Sequence, residues 1–233
     1  MERRDFVKLC AASAACTTLP TEAEAAALKA RLYRRAVLVD ERGQALRVEA
    51  LRVGVNYVFD YPFAATPCFL LRLARPAAGG VDLKTEGGGT YRWEGGVGPD
   101  RTVVAYSAIC AHKLTYPTRQ VSFIGYRDAP SPVAGAGKVI TCCSDRSVYD
   151  PAAGARVVAG PAPQPLATIL LEHDAKSGEL AAVGTFGGEM FEAFFQKFGF
   201  RLQLEMGDRA KAPVDARAVV RELSTYSAQW AQC

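Results

Sequence analysis

Between Ala36 and Val183 the apolar residues of this chain come in short runs, rich in β-branched and aromatic side chains, and glycine or proline cuts off nearly every run. Runs of that length fit strands and leave no room for helices of ordinary length, so the middle of the chain is constrained to a mainly β architecture. Strands are expected at Ala36–Val39, Ala45–Val53, Tyr57–Phe59, Cys68–Leu73, Val103–Ile109, Val139–Thr141, Ala167–Glu172 and Glu179–Val183. The first two form a hairpin through Gly43. With 233 residues, 49% hydrophobic and 22% charged, the chain can bury a real core, and disorder, collagen and coiled coil are excluded. A formal charge of +4, scattered along the sequence, does not mark a nucleic-acid surface. No apolar run approaches the ~18 residues a membrane helix requires.

The two ends read differently. Arg3-Arg4 before Phe6 and Lys8, then the mild apolar stretch Leu9–Leu19 and the small residues Ala23 and Ala25, resemble a twin-arginine export signal over residues 1–25. That route places the mature protein in the periplasm or on the outer face of the cytoplasmic membrane, with membrane association possible through the N-terminus. Residues 26–35 read as a linker or short helix, with Leu28, Leu32 and Tyr33 near helical spacing. Residues 36–187 form the β domain. In the C-terminal extension, 188–233, Phe191, Phe194, Phe195 and Phe198 share one helical face, and Val219, Leu223, Tyr226 and Trp230 suggest a second helix. Two glycine-bearing segments are rejected as phosphate cradles: Gly87–Gly98, which reads as a loop that no helix pattern follows, and Gly135–Lys138, where Val139 replaces the hydroxyl residue.

Chemistry concentrates in two places. The strand at Val103–Ile109 runs into Cys110-Ala111-His112. After 29 residues, the strand Val139–Thr141 runs into Cys142-Cys143-Ser144-Asp145-Arg146-Ser147-Val148-Tyr149-Asp150. Sulfur, imidazole and carboxylate donors at the ends of strands are metal-capable loops. A third segment, Gly160-Pro161-Ala162-Pro163-Gln164-Pro165-Leu166, lacks several backbone donors and suits a lid over such a site. With only two histidines in the chain, nitrogen ligation is limited to His112 and His173, and His173 sits at a hairpin turn away from both loops.

Taken together, Cys-x-His, the second loop with its Ser-x-Tyr-Asp tail, and the Gly-Pro-Ala-Pro-x-Pro-Leu segment resemble a Rieske-type iron–sulfur protein over about residues 103–183, with the site-bearing loops in 105–166. The resemblance implies a Rieske-like antiparallel β-sandwich with a small cluster-binding subdomain and a mixed C-terminal extension. It also implies a 2Fe-2S cluster, with Cys110 and Cys142 on the inner iron and His112 on the outer. Ser147 and Tyr149 would donate hydrogen bonds to sulfur, and Pro161 and Pro163 would cover the cluster.

The family's second histidine falls on Asp145 and the following glycine on Arg146. Three readings follow: Asp145 is the fourth ligand, lowering the potential by its negative charge; the cluster is lost and the domain is a structural or interaction subunit, its thiols free or disulfide-bonded; or Cys143 coordinates instead. The disulfide clamp of quinol-oxidising relatives would join positions held here by Thr115 and Ser144, so that branch is a poorer match. The expected role is that of an electron-transfer subunit partnered by a larger redox subunit, such as a cytochrome or a molybdenum enzyme. Substrate chemistry would take place in the partner. The insertion at 113–141, with Val121-Ser122-Phe123-Ile124-Gly125-Tyr126, is expected to pack as a hairpin over the cluster end, and Cys68 to be a buried thiol.

Overall fold

The computed structural model describes residues 27–233, so the export-signal segment lies outside the described residues. In chain order the strands are β1 (Arg31–Val39), β2 (Tyr57–Asp60), β3 (Pro67–Arg72), β4 (Val81–Lys84), β5 (Thr90–Trp93), β6 (Val103–Ser107), β7 (Val121–Ser122) and β8 (Ile124–Arg127). They continue with β9 (Val139–Cys142), β10 (Ser147–Asp150), β11 (Arg156–Ala159), β12 (Thr168–His173), β13 (Leu180–Phe186), β14 (Ala216–Val219), β15 (Arg221–Glu222) and β16 (Gln229–Trp230). The helices are α1 (Met190–Met206) and the single turn α2 (Leu223–Tyr226). The protein is mainly β, as expected.

An eight-stranded sheet runs β14-β1-β13-β12-β6-β3-β2-β15, and a four-stranded sheet runs β11-β10-β9-β8. In β3 and β6 nearly every residue is buried. The period-two geometry of a strand explains how both faces are used. Cys68, Leu70, Val103 and Ala105 enter one core, with Phe191 and Phe194 of α1. Phe69, Leu71, Val104 and Tyr106 enter a second core, with Ile124, Tyr126, Ile140 and Tyr149 of the small sheet. The wall formed by β3 and β6 therefore separates two hydrophobic cores. The second of these contains Cys110 and Cys142.

Asn56 fastens the small sheet to the large one. Its side-chain amide donates to the Tyr126 carbonyl at 2.9 Å, and its side-chain oxygen accepts the Tyr126 N–H at 2.6 Å, in a buried setting. The phenylalanine stripe of α1 packs as core: Phe194 and Phe198 meet Tyr116 edge-on at 4.9 and 5.1 Å between ring centres. The helix thus holds the chain that leaves the first metal-capable loop.

Four expectations are corrected. The linker at 26–35 is partly strand, because β1 starts at Arg31. The hairpin arm at Ala45–Val53 is reduced to one bridge, Val39 to Ala45, and a turn of 3-10 helix at Val48–Ala50. Both edges of β1 are occupied, by β13 antiparallel and by β14 parallel, so no ladder position is left for it. The glycine-rich segment is interrupted by β5, whose Tyr91 and Trp93 are buried and which pairs with β4. The second C-terminal helix shrinks to α2: Val219 belongs to β14, and Trp230 to β16, which pairs in parallel with β7.

Asn56→Ala removes both Tyr126 contacts and leaves buried backbone groups unpaired. It is expected to lower stability by about 2–3 kcal/mol, read from urea unfolding midpoints, with the same slope.

Candidate metal centre

The first loop leaves β6 and closes on itself. The Cys110 N–H donates to the Thr115 carbonyl at 2.8 Å, and the Cys110 carbonyl accepts the Leu114 N–H at 2.9 Å. The second loop is the four-residue connection of the β9–β10 hairpin, with Cys142 opposite Ser147. The Cys142 carbonyl accepts the Arg146 N–H at 2.7 Å, and Asp145 turns its carboxylate inward, where Oδ1 accepts the Ser147 N–H at 3.0 Å. Arg146 sits at φ +64°, in the left-handed region. Glycine takes that conformation freely and other residues only with strain, which accounts for the glycine of the resembling pattern.

The two loops meet on one carboxylate. Asp145 Oδ2 lies 3.2 Å from Cys110 Sγ and 3.0 Å from His112 Nδ1. The donor atoms of Cys110, Cys142 and Asp145 all lie within 4.8 Å of one another. His112 stands outside that set and is joined to it through Asp145. The Asp145 side chain is 1% exposed and that of His112 35%, so the group has a covered interior and one solvent-facing edge. Tyr149 backs the site: its hydroxyl is 3.2 Å from Cys110 Sγ and accepts the Ala111 N–H at 3.2 Å. Ser147 is fully buried, and its hydroxyl has no hydrogen-bond partner among the described residues.

The electrostatics follow from burial and contact. The hydrogen bond from Cys142 holds the Cys110 thiol below its usual range, against the effect of burial and with help from Tyr149. Cys142 is pushed well up, as the partner that keeps the shared proton in a buried pair. Burial raises Tyr149 far above the ordinary phenol, so it remains a donor toward the Cys110 sulfur. Burial also works to raise Asp145, but the Ser147 N–H and the two thiols outweigh it and hold the carboxylate below its normal value.

The structure thus brings Cys110, His112, Cys142, Asp145, Ser147 and Tyr149 together. Gly160, at φ +87°, packs so closely on the second loop that a Cβ there would strike the Arg146 carbonyl. From it the proline segment departs with Pro161 and Pro163 exposed and Leu166 buried as its anchor. His173 ends β12 opposite Leu180, outside the donor group.

Sequence reasoning missed the C-terminal strap. The Ser227 hydroxyl donates to the Thr118 carbonyl, and the backbone N–H groups of Ala228, Gln229 and Ala231 donate to Arg119, Gln120 and Ser122. Trp230 lies flat against Gly125, where an added Cβ would come within 2.7 Å of the indole nitrogen. The strap ends in a disulfide between Cys233 and Cys143, across 90 residues of sequence. This overturns one reading of the second loop: Cys143 is not available as a ligand. Even cysteine parity gave no signal for this pairing, since seven cysteines allow many. Among the described residues, Cys68, Cys110 and Cys142 form no disulfide and are buried, Cys68 as expected.

Cys233→Ser is expected to cost about 2–5 kcal/mol of stability. Adding a dithiol reductant to the unsubstituted protein should reproduce the same fall in thermal midpoint, while leaving the variant unchanged.

No protein-family model matches the chain. Among solved structures, the chain is similar to the soluble domain of Rieske protein II (soxF) from Sulfolobus acidocaldarius, at 26% identity over 66% of this chain and 78% of that one, with a TM-score of 0.45.

Proposed function

We propose that this chain is a Rieske-like electron-transfer protein in which Cys110 and Cys142 hold one iron of a 2Fe-2S cluster and His112 and Asp145 hold the other. One observation carries the reading: two loops from separate strands place two thiols and a covered carboxylate within 4.8 Å, with an imidazole 3.0 Å from that carboxylate. The surrounding groups fit such a cofactor. The soft sulfur donors and the carboxylate are covered and the imidazole lies at the solvent-facing edge, an arrangement that suits mixed ligation of this cluster type. The unpartnered Ser147 hydroxyl is a buried donor without an acceptor, and cluster sulfur would supply one.

When bound, the cluster supplies reversible uptake of a single electron. The protein's own residues would set where and at what potential. Tyr149, kept protonated by burial, donates toward the Cys110 sulfur and favours the reduced state. Asp145 in place of an imidazole adds one negative charge and lowers the potential relative to a two-histidine site. The exposed edge of His112 gives a short path to a partner's redox centre.

The same reading makes the chain the iron–sulfur subunit of an exported oxidoreductase assembly, with a cytochrome or a molybdenum enzyme as the larger subunit. The Cys143–Cys233 disulfide supports an oxidising compartment, since such bonds rarely persist in the cytosol. The Arg3-Arg4 signal, which moves folded and cofactor-loaded proteins, supports it as well. Among the described residues, no helix is long and apolar enough to cross a membrane.

Protein prepared anaerobically with iron and sulfide is expected to carry about two irons and two labile sulfides per chain and to absorb visible light. Asp145→Ala should lose the iron, and Tyr149→Phe should keep it at a lower midpoint potential. Colourless, iron-free protein would leave the scaffold reading in its place, and an iron-loaded Asp145→Ala variant at unchanged potential would remove Asp145 from the ligand set.

A further inference from the structure

Away from the metal-capable loops, a cavity of about 540 Å³ opens between the end of β2, the segment Tyr116–Gln120, α1, and the short elements that bear Arg209, Arg221 and Tyr226. The size is that of a small-molecule pocket. None of Cys110, Cys142 or Asp145 lines it.

One acidic group at its wall lacks a partner. The half-buried Asp60 carboxylate makes no hydrogen bond to the described residues, and burial pushes it up to about 7 against the pull of Arg221 and Arg119. It is thus free to bond a ligand group or water in the cavity.

The charges at the mouth do not balance. Arg221 is paired with Glu41 at 3.2 Å, and Glu205 with Arg201 at 2.7 Å. Arg119 and Arg209 form no ion pair among the described residues. Arg119 is steadied by the Tyr226 ring, 5.7 Å below its guanidinium. Two unmatched guanidiniums therefore face the pocket, and near neutral pH Asp60 offsets them only in part. Guanidinium forks suit carboxylate and phosphate oxygens, and the unpartnered Asp60 suits a hydroxyl group.

We propose that this cavity binds a small hydroxylated organic anion, its carboxylate or phosphate held by Arg119 and Arg209 and a hydroxyl by Asp60. The site is independent of the metal centre, and its test needs no bound metal. Isothermal titration of the full chain with gluconate, glucose 6-phosphate and neutral glucose reads it directly. Saturable binding of at least one anion is expected, the tighter of the two naming the carboxylate or phosphate source, with no binding of glucose. The double substitution Arg119→Gln and Arg209→Gln lies at exposed positions and should leave the thermal midpoint unchanged while weakening that binding at least tenfold. Failure of both anions to bind, equal binding by glucose, or full affinity in the double variant would overturn the proposal.

Discussion

Asp145 is where the two metal-capable loops are held together. Its carboxylate accepts a hydrogen bond from its own loop, at Ser147, and reaches across to Cys110 and His112 of the other. A carboxylate almost wholly covered by protein needs such partners, because an unpaired buried charge is costly. Here the compensation comes from a backbone N–H, a thiol and an imidazole. The three contacts set the spacing of the loops and hence the arrangement of every other donor.

The rest of the fold serves that spacing. The strands β3 and β6 divide the interior into two cores, and the first loop emerges from β6 at the boundary of the second. The sheet that carries the Asp145 hairpin is tied to the large sheet through Asn56, and the hairpin loop itself is held by the disulfide to Cys233. Positions Thr115 and Ser144 lack the cysteines of a direct loop-to-loop clamp, whereas the residue beside Cys142 is bonded to the C-terminus. The loop is therefore anchored to the strap that also covers Gly125 and pairs with β7. A disulfide leading away from the donor group constrains the loop without occupying its interior.

What could be read in the sequence was whatever depends on neighbours along the chain. The runs Tyr57–Phe59, Cys68–Leu73, Val103–Ile109 and Val139–Thr141 gave their strands, because alternating burial on two faces leaves near-continuous apolar stretches. The donor residues stood at strand ends, where loops can converge, and they do converge. Features set by pairing over long distances were hidden. β13 takes the edge of β1 along which Ala45–Val53 was expected to run, β14 takes the other, and no local pattern distinguishes these partners. Val219, Leu223, Tyr226 and Trp230 have helical spacing, yet two of them, Val219 and Trp230, lie in strands, because tertiary contacts outweigh a weak local preference. The contact between Asp145 and Cys110 lies between these cases: the residue types were visible, but their separation had to come from the fold.

The central claim is that Asp145 completes a site for paired iron. X-ray absorption at the iron edge of anaerobically loaded protein tests it most directly. The account predicts an iron–iron vector together with a sulfur shell and a smaller nitrogen and oxygen shell, with the outer-shell imidazole scattering increasing when Asp145 is replaced by histidine. Iron with no iron neighbour, or a first shell of sulfur alone, would contradict it.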